Sequence, residues 1–541
     1  MSPTITVNGC AVTGTTKPSS FMLPKPVDIF YGIPYARATR FHAAELLDPR
    51  PGGSMAAHQP GPSTPFPMAP HATSEDPLTL NIFKPSSSSS SSSSPAPLPV
   101  VVYVHGGGFN FGHPLERNLA SLLAWAERPL VVVAVGYRLG PLGFLAGAGA
   151  DVGERNLGLG DQRLAVEWVR KWVGAFGGDA GDLTLMGVSA GAHSIGHHIL
   201  HPSPLPFRKA ILESGSPTAR STLSATHPRV LDQMRSLRAE SYNAPLATLP
   251  VAQLLEASVM VWAQHAQSVC WPFQPVVDDR PDSLVPDLPL NLWATLLSRT
   301  GPAAAKGLAV ITGFCSHEGT QFVPQRAQTN ADFRGFFATL IPSFTQEDLN
   351  ALEALYPDPV TDPSSPYSHA GRQGAQFRRL YEAYGHYAYI CPVLHTAHLL
   401  SRAGARVYLY EYAAISMPFR AAGHGDQAVV VAHDMDAIGF RPGLIAVARE
   451  MNPRWTNFAA EPDGDLGDAW PLFRSPLAGG DGDGSLLVFG EDNDEAAGGS
   501  NLGTPVRTRT LTQKELDQCQ FWWDRMELSQ GLGLRGAAKA L

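Results

Sequence analysis

With 541 residues, a formal net charge of −8 and an isoelectric point near 6.1, the chain is mildly acidic, which argues against a polyanionic partner such as nucleic acid. Hydrophobic residues make up 44% of it and charged residues 16%, the balance of a globular protein with a large buried core. Its longest apolar runs, such as Leu130 to Val135, are strand-sized, so no membrane-spanning helix is expected.

The first residues, Met1 to Cys10, lack both a basic start and an apolar stretch and do not read as a secretory signal. The 5 cysteines, Cys10, Cys270, Cys315, Cys391 and Cys519, are odd in number and scattered, unlike a disulfide framework. No Asn-x-Ser/Thr glycosylation site occurs. These features together predict a cytoplasmic protein. Further on, Ser86 to Ser94 is an unbroken serine run that leads into Pro95-Ala96-Pro97-Leu98-Pro99. The stretch 86–99 has little to bury and is expected to be a low-complexity surface loop between two strands.

The run Pro99 to Val104 is continuous and rich in valine, as expected for a strand buried on both faces of a mostly parallel sheet. At its exit stands His105-Gly106-Gly107-Gly108-Phe109, whose consecutive glycines free the backbone to turn its N–H groups inward. A second strand, Asp182 to Met186, runs into Gly187-Val188-Ser189-Ala190-Gly191, and Ala192 to Leu200 reads as a helix. A serine flanked by glycines between strand and helix fits a sharp turn that exposes its hydroxyl as a nucleophile. An oxyanion formed on a carbonyl attacked there needs two or three donors roughly 2.7–3.1 Å away. The N–H groups of Gly107, Gly108 and Ala190 are the expected ones.

His193 and His197 lie four apart on the following helix, but no Glu follows His193 and no third ligand suggests itself, so they read as core or lining residues. No metal and no cofactor are expected, and no phosphate-binding glycine fingerprint occurs. Val310 to Gly319 reads as a strand followed by a turn bearing Glu318, and Ala422-Gly423-His424-Gly425-Asp426 places a histidine in a glycine-flanked loop. The order serine, acid, histidine is that of α/β-hydrolases. His433, which begins His433-Asp434-Met435-Asp436, is the rival for the histidine. His317 reads as a loop residue. The acidic loops Gly479 to Gly484 and Asp492 to Glu495 lack the spacing of a calcium loop. The segment Leu511 to Met526, with Phe521, Trp522 and Trp523, is expected to be a helix packing back on the domain.

Further segments fall in a recognisable order: Phe30 to Ala36, Arg40-Phe41, Glu75 to Phe83, Gly136 to Phe144, Asn156 to Gln162, Phe176 to Asp179, Phe273 to Asp278 and Trp455 to Phe458. On these, and on the elbow and glycine loop, the chain resembles the type-B carboxylesterase group of carboxylesterases, cholinesterases and fungal esterases and lipases. It is most similar to the intracellular fungal members. The resemblance implies an α/β class and an α/β-hydrolase fold over residues 1–541 as a single domain. Its central mostly parallel sheet would be flanked by helices, with large insertions forming an active-site gorge. It also implies Ser189 as nucleophile, Glu318 as acid and His424 as base, the last in preference to His433. The expected activity is hydrolysis of small carboxylic esters or lactones through an acyl-enzyme. The alternative is acyl transfer or cyclisation by the same three residues in small-molecule biosynthesis.

Three departures from the family pattern carry expectations of their own. Pro77 and the segment Gly61 to Pro65 stand where secreted relatives place a disulfide, which fits a reducing compartment. Val188 precedes the nucleophile where many animal relatives have Glu, which points to a fairly apolar, uncharged substrate. The short link from Ala36 to Arg40 is expected to reshape one wall of the gorge. Segments Pro217 to Trp271 and Gln325 to Tyr367 are expected to supply the pocket.

Overall fold

The computed structural model describes residues 2–529 except 68, 87–95, 147–152, 204–205, 220–221, 266–270, 279, 281, 301–304, 369–370 and 478. Most of the predicted loop 86–99, and Cys270, therefore lie outside the described residues.

The principal strands, in chain order, are β1 (Thr15–Lys17), β2 (Val27–Pro34), β3 (Thr79–Pro85), β4 (Leu98–Val104), β5 (Val131–Val135) and β6 (Gly178–Val188). They continue with β7 (Lys209–Glu213), β8 (Ala309–Cys315), β9 (Arg406–Tyr412), β10 (Ser485–Glu491) and β11 (Thr504–Thr510). Among the described residues these form one 11-stranded sheet in the order β11-β10-β9-β8-β7-β6-β4-β5-β3-β2-β1. Strands β4 to β10 pair in parallel, while β1, β2, β3 and β11 add antiparallel edges.

The unbroken valine runs are explained by this position. Val100, Val102, Val104, Val131, Val133 and Val135 face one hydrophobic core, and Val101, Tyr103, Val132 and Ala134 face another across the sheet. Helices Leu157–Trp172, Ala190–Leu200 and Cys391–Arg402 cover the first face. Leu119–Trp125 and Pro442–Ala460 cover the second. The late helix spans Gln513–Trp523, shorter than the predicted segment: Thr512 and Glu515 cap its start reciprocally, and Met526 begins a separate short helix, Met526–Ser529. Its Trp523 donates to the Cys391 carbonyl at 2.9 Å, fastening it against the first face.

The order in which strands are added reverses at β4, since β5 lies on one side of it and β6 on the other, all three running parallel. A crevice opens beyond the strand ends at such a switch point. The glycine loop leaves β4 there and the Ser189 elbow leaves β6.

Several of the collinear motifs prove to be one another's partners. Arg138 grips Asp161 through Nη2–Oδ1 at 2.7 Å and Nε–Oδ2 at 2.8 Å, both side chains fully buried. Asn156 exchanges two hydrogen bonds with Val276, at 2.8 and 2.9 Å. Arg40 pairs with Glu75 and reaches the carbonyls of Leu246 and Leu249, so it ties outer loops together and does not wall the catalytic cavity. Breaking a buried ion pair from one side leaves a stranded charge, which costs about 3–5 kcal/mol. Asp161→Ala is therefore expected to lower stability by about that amount in chemical denaturation.

Candidate active site

Ser189 stands between β6 and the helix Ala190–Leu200 with φ 54° and ψ −122°, a left-handed backbone that a side chain rarely adopts. The turn closes only because its neighbours are small. A Cβ at Gly191 would lie 2.1 Å from the Val104 carbonyl oxygen, and one at Gly187 would lie 2.6 Å from the backbone of Gly191. Ser189 N–H donates to the Glu213 carbonyl at 2.9 Å, which locks the elbow onto β7.

Beside it, the glycine loop folds into a turn in which Gly107 O accepts the N–H groups of Asn110 and Phe111, at 3.0 and 3.1 Å. Gly107 has φ +102°, and a Cβ there would fall 1.9 Å from the Phe111 oxygen. Among the described residues the N–H groups of Gly107 and Gly108 have no protein acceptor. His105 fixes the start of the loop. Its ring stacks on Tyr137 at 4.4 Å, and its Nδ1 lies 2.9 Å from Gly106 O. Burial lowers its pKa to about 3, so the ring is neutral.

Glu318 follows β8 in a tight turn and is fully buried. Its Oε1 accepts the N–H of Cys315 at 2.8 Å, and its Oε2 lies 2.5 Å from His424 Nδ1. The His424 loop is clasped by Asp426, whose Oδ2 accepts from Gly423 N–H and Ser416 Oγ, both at 2.8 Å. His317 supports the same arrangement: its backbone N–H donates to Ala422 O at 2.9 Å, and its Nδ1 accepts from Ala422 N–H at 3.0 Å. The two loops are thus laced together around the Glu318–His424 pair.

His424 Nε2 is buried and has no hydrogen-bond partner among the described residues. The ring packs against Tyr389 at 4.3 Å and Phe322 at 5.4 Å. Tyr389 comes from a single π-helical turn, His386–Ile390, a kind of bulge frequent at functional sites. Ser189, His424 and the glycine loop line one cavity of about 250 Å³, walled by Trp271, Phe322 and Tyr389. Phe111 lies in its wall and also in that of a second chamber of about 420 Å³, lined by Phe66, Leu255, Val259 and Trp262.

Comparison with known proteins gives this geometry its context. The family model described as "Carboxylesterase family" matches residues 1–479. The chain belongs to the carboxylesterase family. It is 32% identical to secreted lipase 4 of Gibberella zeae over 424 residues, which cover 73% of each chain. It is 28% identical to the inactive carboxylesterase-like protein VdtD of Byssochlamys spectabilis, over 80% of this chain and 79% of that one. Its fold is that of a solved PNB esterase (TM-score 0.72, 23% identity, 95% of this chain and 99% of that one). It is likewise that of EstA from Aspergillus niger (TM-score 0.75, 23% identity, 98% and 99%). With the parallel sheet and its covering helices, this is the α/β-hydrolase fold, and the chain is a carboxylic ester hydrolase of the serine type.

Other residues singled out in the sequence take different places in this carboxylesterase-family fold. His433 stacks on Trp125 at 3.8 Å, with Ser121 donating to its carbonyl, and lies outside the catalytic cavity. His193 and His197 are buried on the helix after Ser189, and burial lowers the His197 pKa to about 4. Among the described residues, segment Gln325 to Tyr367 contributes nothing to the catalytic cavity's lining; its helix Asn330–Leu340 instead buries Phe337 against Trp522, with Phe333 packed on Phe337. Trp271 does line the cavity, and Val251–His265 lines the second chamber.

Other site features have no sequence signature. Arg117 forms a buried ion pair with Glu213, which also accepts from Trp455 Nε1 at 2.8 Å, so the late Trp455 motif holds the floor beneath the cavity. Glu116 lines the cavity as well. The elbow carries no carboxylate at Val188, but the cavity holds one, from a loop 72 residues before it in the chain.

Proposed function

We propose that Ser189 is the nucleophile of this hydrolase, His424 its base and Glu318 the acid that orients the imidazole. The observation that carries the reading is the Glu318–His424 pair at 2.5 Å, with His424 lining the same cavity as Ser189. With Nδ1–H directed at Glu318, Nε2 keeps its lone pair and takes the Ser189 proton as Oγ attacks the ester carbonyl. The N–H groups of Gly107, Gly108 and Ala190 hold the resulting oxyanion. Collapse breaks the bond to the alcohol oxygen, which leaves with the proton from Nε2. Water, deprotonated by the same nitrogen, then releases the acid and restores Ser189.

The favoured substrate has an apolar acyl or alkyl part. Support comes from the aromatic wall of the catalytic cavity and from Phe111, which borders both it and the second apolar chamber. A cytoplasmic location is supported by the free, buried thiols of Cys10, Cys315, Cys391 and Cys519; recovery of the native protein from a culture medium would count against it.

The test is covalent labelling. A fluorophosphonate is expected to add one phosphonyl group to the peptide bearing Ser189, read by mass spectrometry, with loss of ester hydrolysis in step. Labelling of any other serine with equal loss of activity would overturn the assignment.

A further inference from the structure

Glu116 is held in place by its own turn. Gly112-His113-Pro114-Leu115-Glu116 closes with His113 N–H donating to Glu116 Oε1 at 3.1 Å, Glu116 N–H to His113 O at 3.3 Å and Leu115 N–H to His113 Nδ1 at 3.2 Å. A Cβ on Gly112 would press to 3.0 Å on Oε1 and 2.9 Å on His105 Nδ1, so the turn needs a bare backbone there. The carboxyl is therefore presented at a fixed place, with Oε2 lacking a protein partner among the described residues. The adjacent Arg117 is engaged elsewhere: it forks onto Glu213 in its buried pair and lies over the Tyr103 ring at 5.1 Å.

The surroundings make this carboxyl unusual. Glu116 is open to the cavity, but the walls restrict water enough that burial raises its pKa to about 7. The His113 N–H bond to Oε1 opposes that shift but does not outweigh burial, and no charged side chain adds to it. His113 is neutral, its pKa lowered to about 4 by burial and by His71, whose ring meets it at 4.3 Å. Tyr103 and Tyr137 are held uncharged by burial, and the Arg117 charge is met by Glu213. His424 stands in the same cavity, paired with Glu318.

We propose that Glu116 forms a polar substrate subsite inside the catalytic cavity, its free Oε2 binding a hydroxyl group carried by the ester. The proposal rests on Ser189 being the nucleophile of that cavity. The chemistry selects a hydroxyl among polar groups. Near neutral pH both forms of the carboxyl are populated; the acid donates and the carboxylate accepts. A hydroxyl pairs with either form, an ammonium only with the carboxylate and a carbonyl only with the acid. Much of the remaining wall is apolar, from Val188, Trp271, Phe322 and Phe111, against which a hydroxyl would lose its hydration without compensation; Gln321, also in the lining, donates an amide N–H to the His424 carbonyl.

The experiment compares butyl, pentyl and hexyl acetate with the monoacetates of the matching terminal diols, as the ratio of kcat/KM within each pair. The wild-type enzyme is expected to favour the hydroxylated ester at one chain length. Glu116→Leu is expected to lower that ratio about tenfold, the worth of one hydrogen bond to a partly charged group. Glu116→Gln, which still donates and accepts, is expected to keep most of the preference. With a terminal amine in place of the hydroxyl, preference is expected to rise in the wild type as pH passes through about 7 and the carboxyl ionises, and to stay flat in Glu116→Gln. An unchanged hydroxyl ratio in Glu116→Leu overturns the subsite. If that variant misfolds, judged by lost fluorophosphonate labelling, the pH comparison decides alone, and a rise persisting in Glu116→Gln overturns it. Failure of the wild type to hydrolyse even the plain alkyl acetates would instead strike the Ser189 reading.

Discussion

Replacing Ser189 with alanine is expected to lower kcat on a short p-nitrophenyl ester by about a million-fold, the scale seen when the nucleophile of a serine triad is removed. The reasoning separates chemistry from fold. Among the described residues the side-chain oxygen makes no hydrogen bond, whereas the backbone N–H on Glu213 and the Cβ are retained by alanine. Thermal stability should therefore stay near that of the wild type while turnover falls. What remains, about a thousandfold or more over water, would come from the oxyanion donors and from binding alone. A variant that kept a tenth of the activity would remove Ser189 from the mechanism.

Glu318→Gln is expected to cost about ten thousand-fold in kcat with little change in KM. The substitution preserves size, and the amide oxygen can still accept from Cys315 N–H, so the turn after β8 is kept. The amide nitrogen, however, now donates toward His424 Nδ1. That forces the proton onto Nε2, where the base needs a lone pair, and removes the charge that steadies the imidazolium. Steady-state kinetics together with a melting curve check the claim. An equal loss in kcat and in folded fraction would show that Glu318 serves the fold alone.

Much of the fold was legible because its signals are local. Valine runs without polar interruption required a strand covered on both faces, and β4 and β5 are that. The glycine loop and the elbow announced close backbone approaches, which the contacts of Gly107 and Gly191 supply. The pairing of Glu318 with His424 depended on serine, acid and histidine following one another at strand ends, which chain order conveys. The cavity wall was less accessible. Tyr389 belongs to a π-helical turn that no periodicity marks, and Phe322 and Trp271 are aromatic residues without pattern. Glu116 shows the limit most clearly. Val188 told only that no carboxylate stands beside Ser189 along the chain; sequence does not reveal which distant residues share its cavity, and Glu116 is one of them. The buried Arg117–Glu213–Trp455 cluster joins three segments far apart in sequence and was invisible for the same reason.

With Ser189 as the proposed nucleophile, its backbone sets stability selection against catalysis in this enzyme. Glycine at that position would occupy φ 54° without penalty, relieving about 1–3 kcal/mol of stored strain and abolishing the hydroxyl in the same step. A population screened only for heat resistance would thus drift toward a silent active site, through a substitution that looks beneficial by every measure except turnover. Descendants that lost their catalytic role could travel this path without passing through an unstable intermediate.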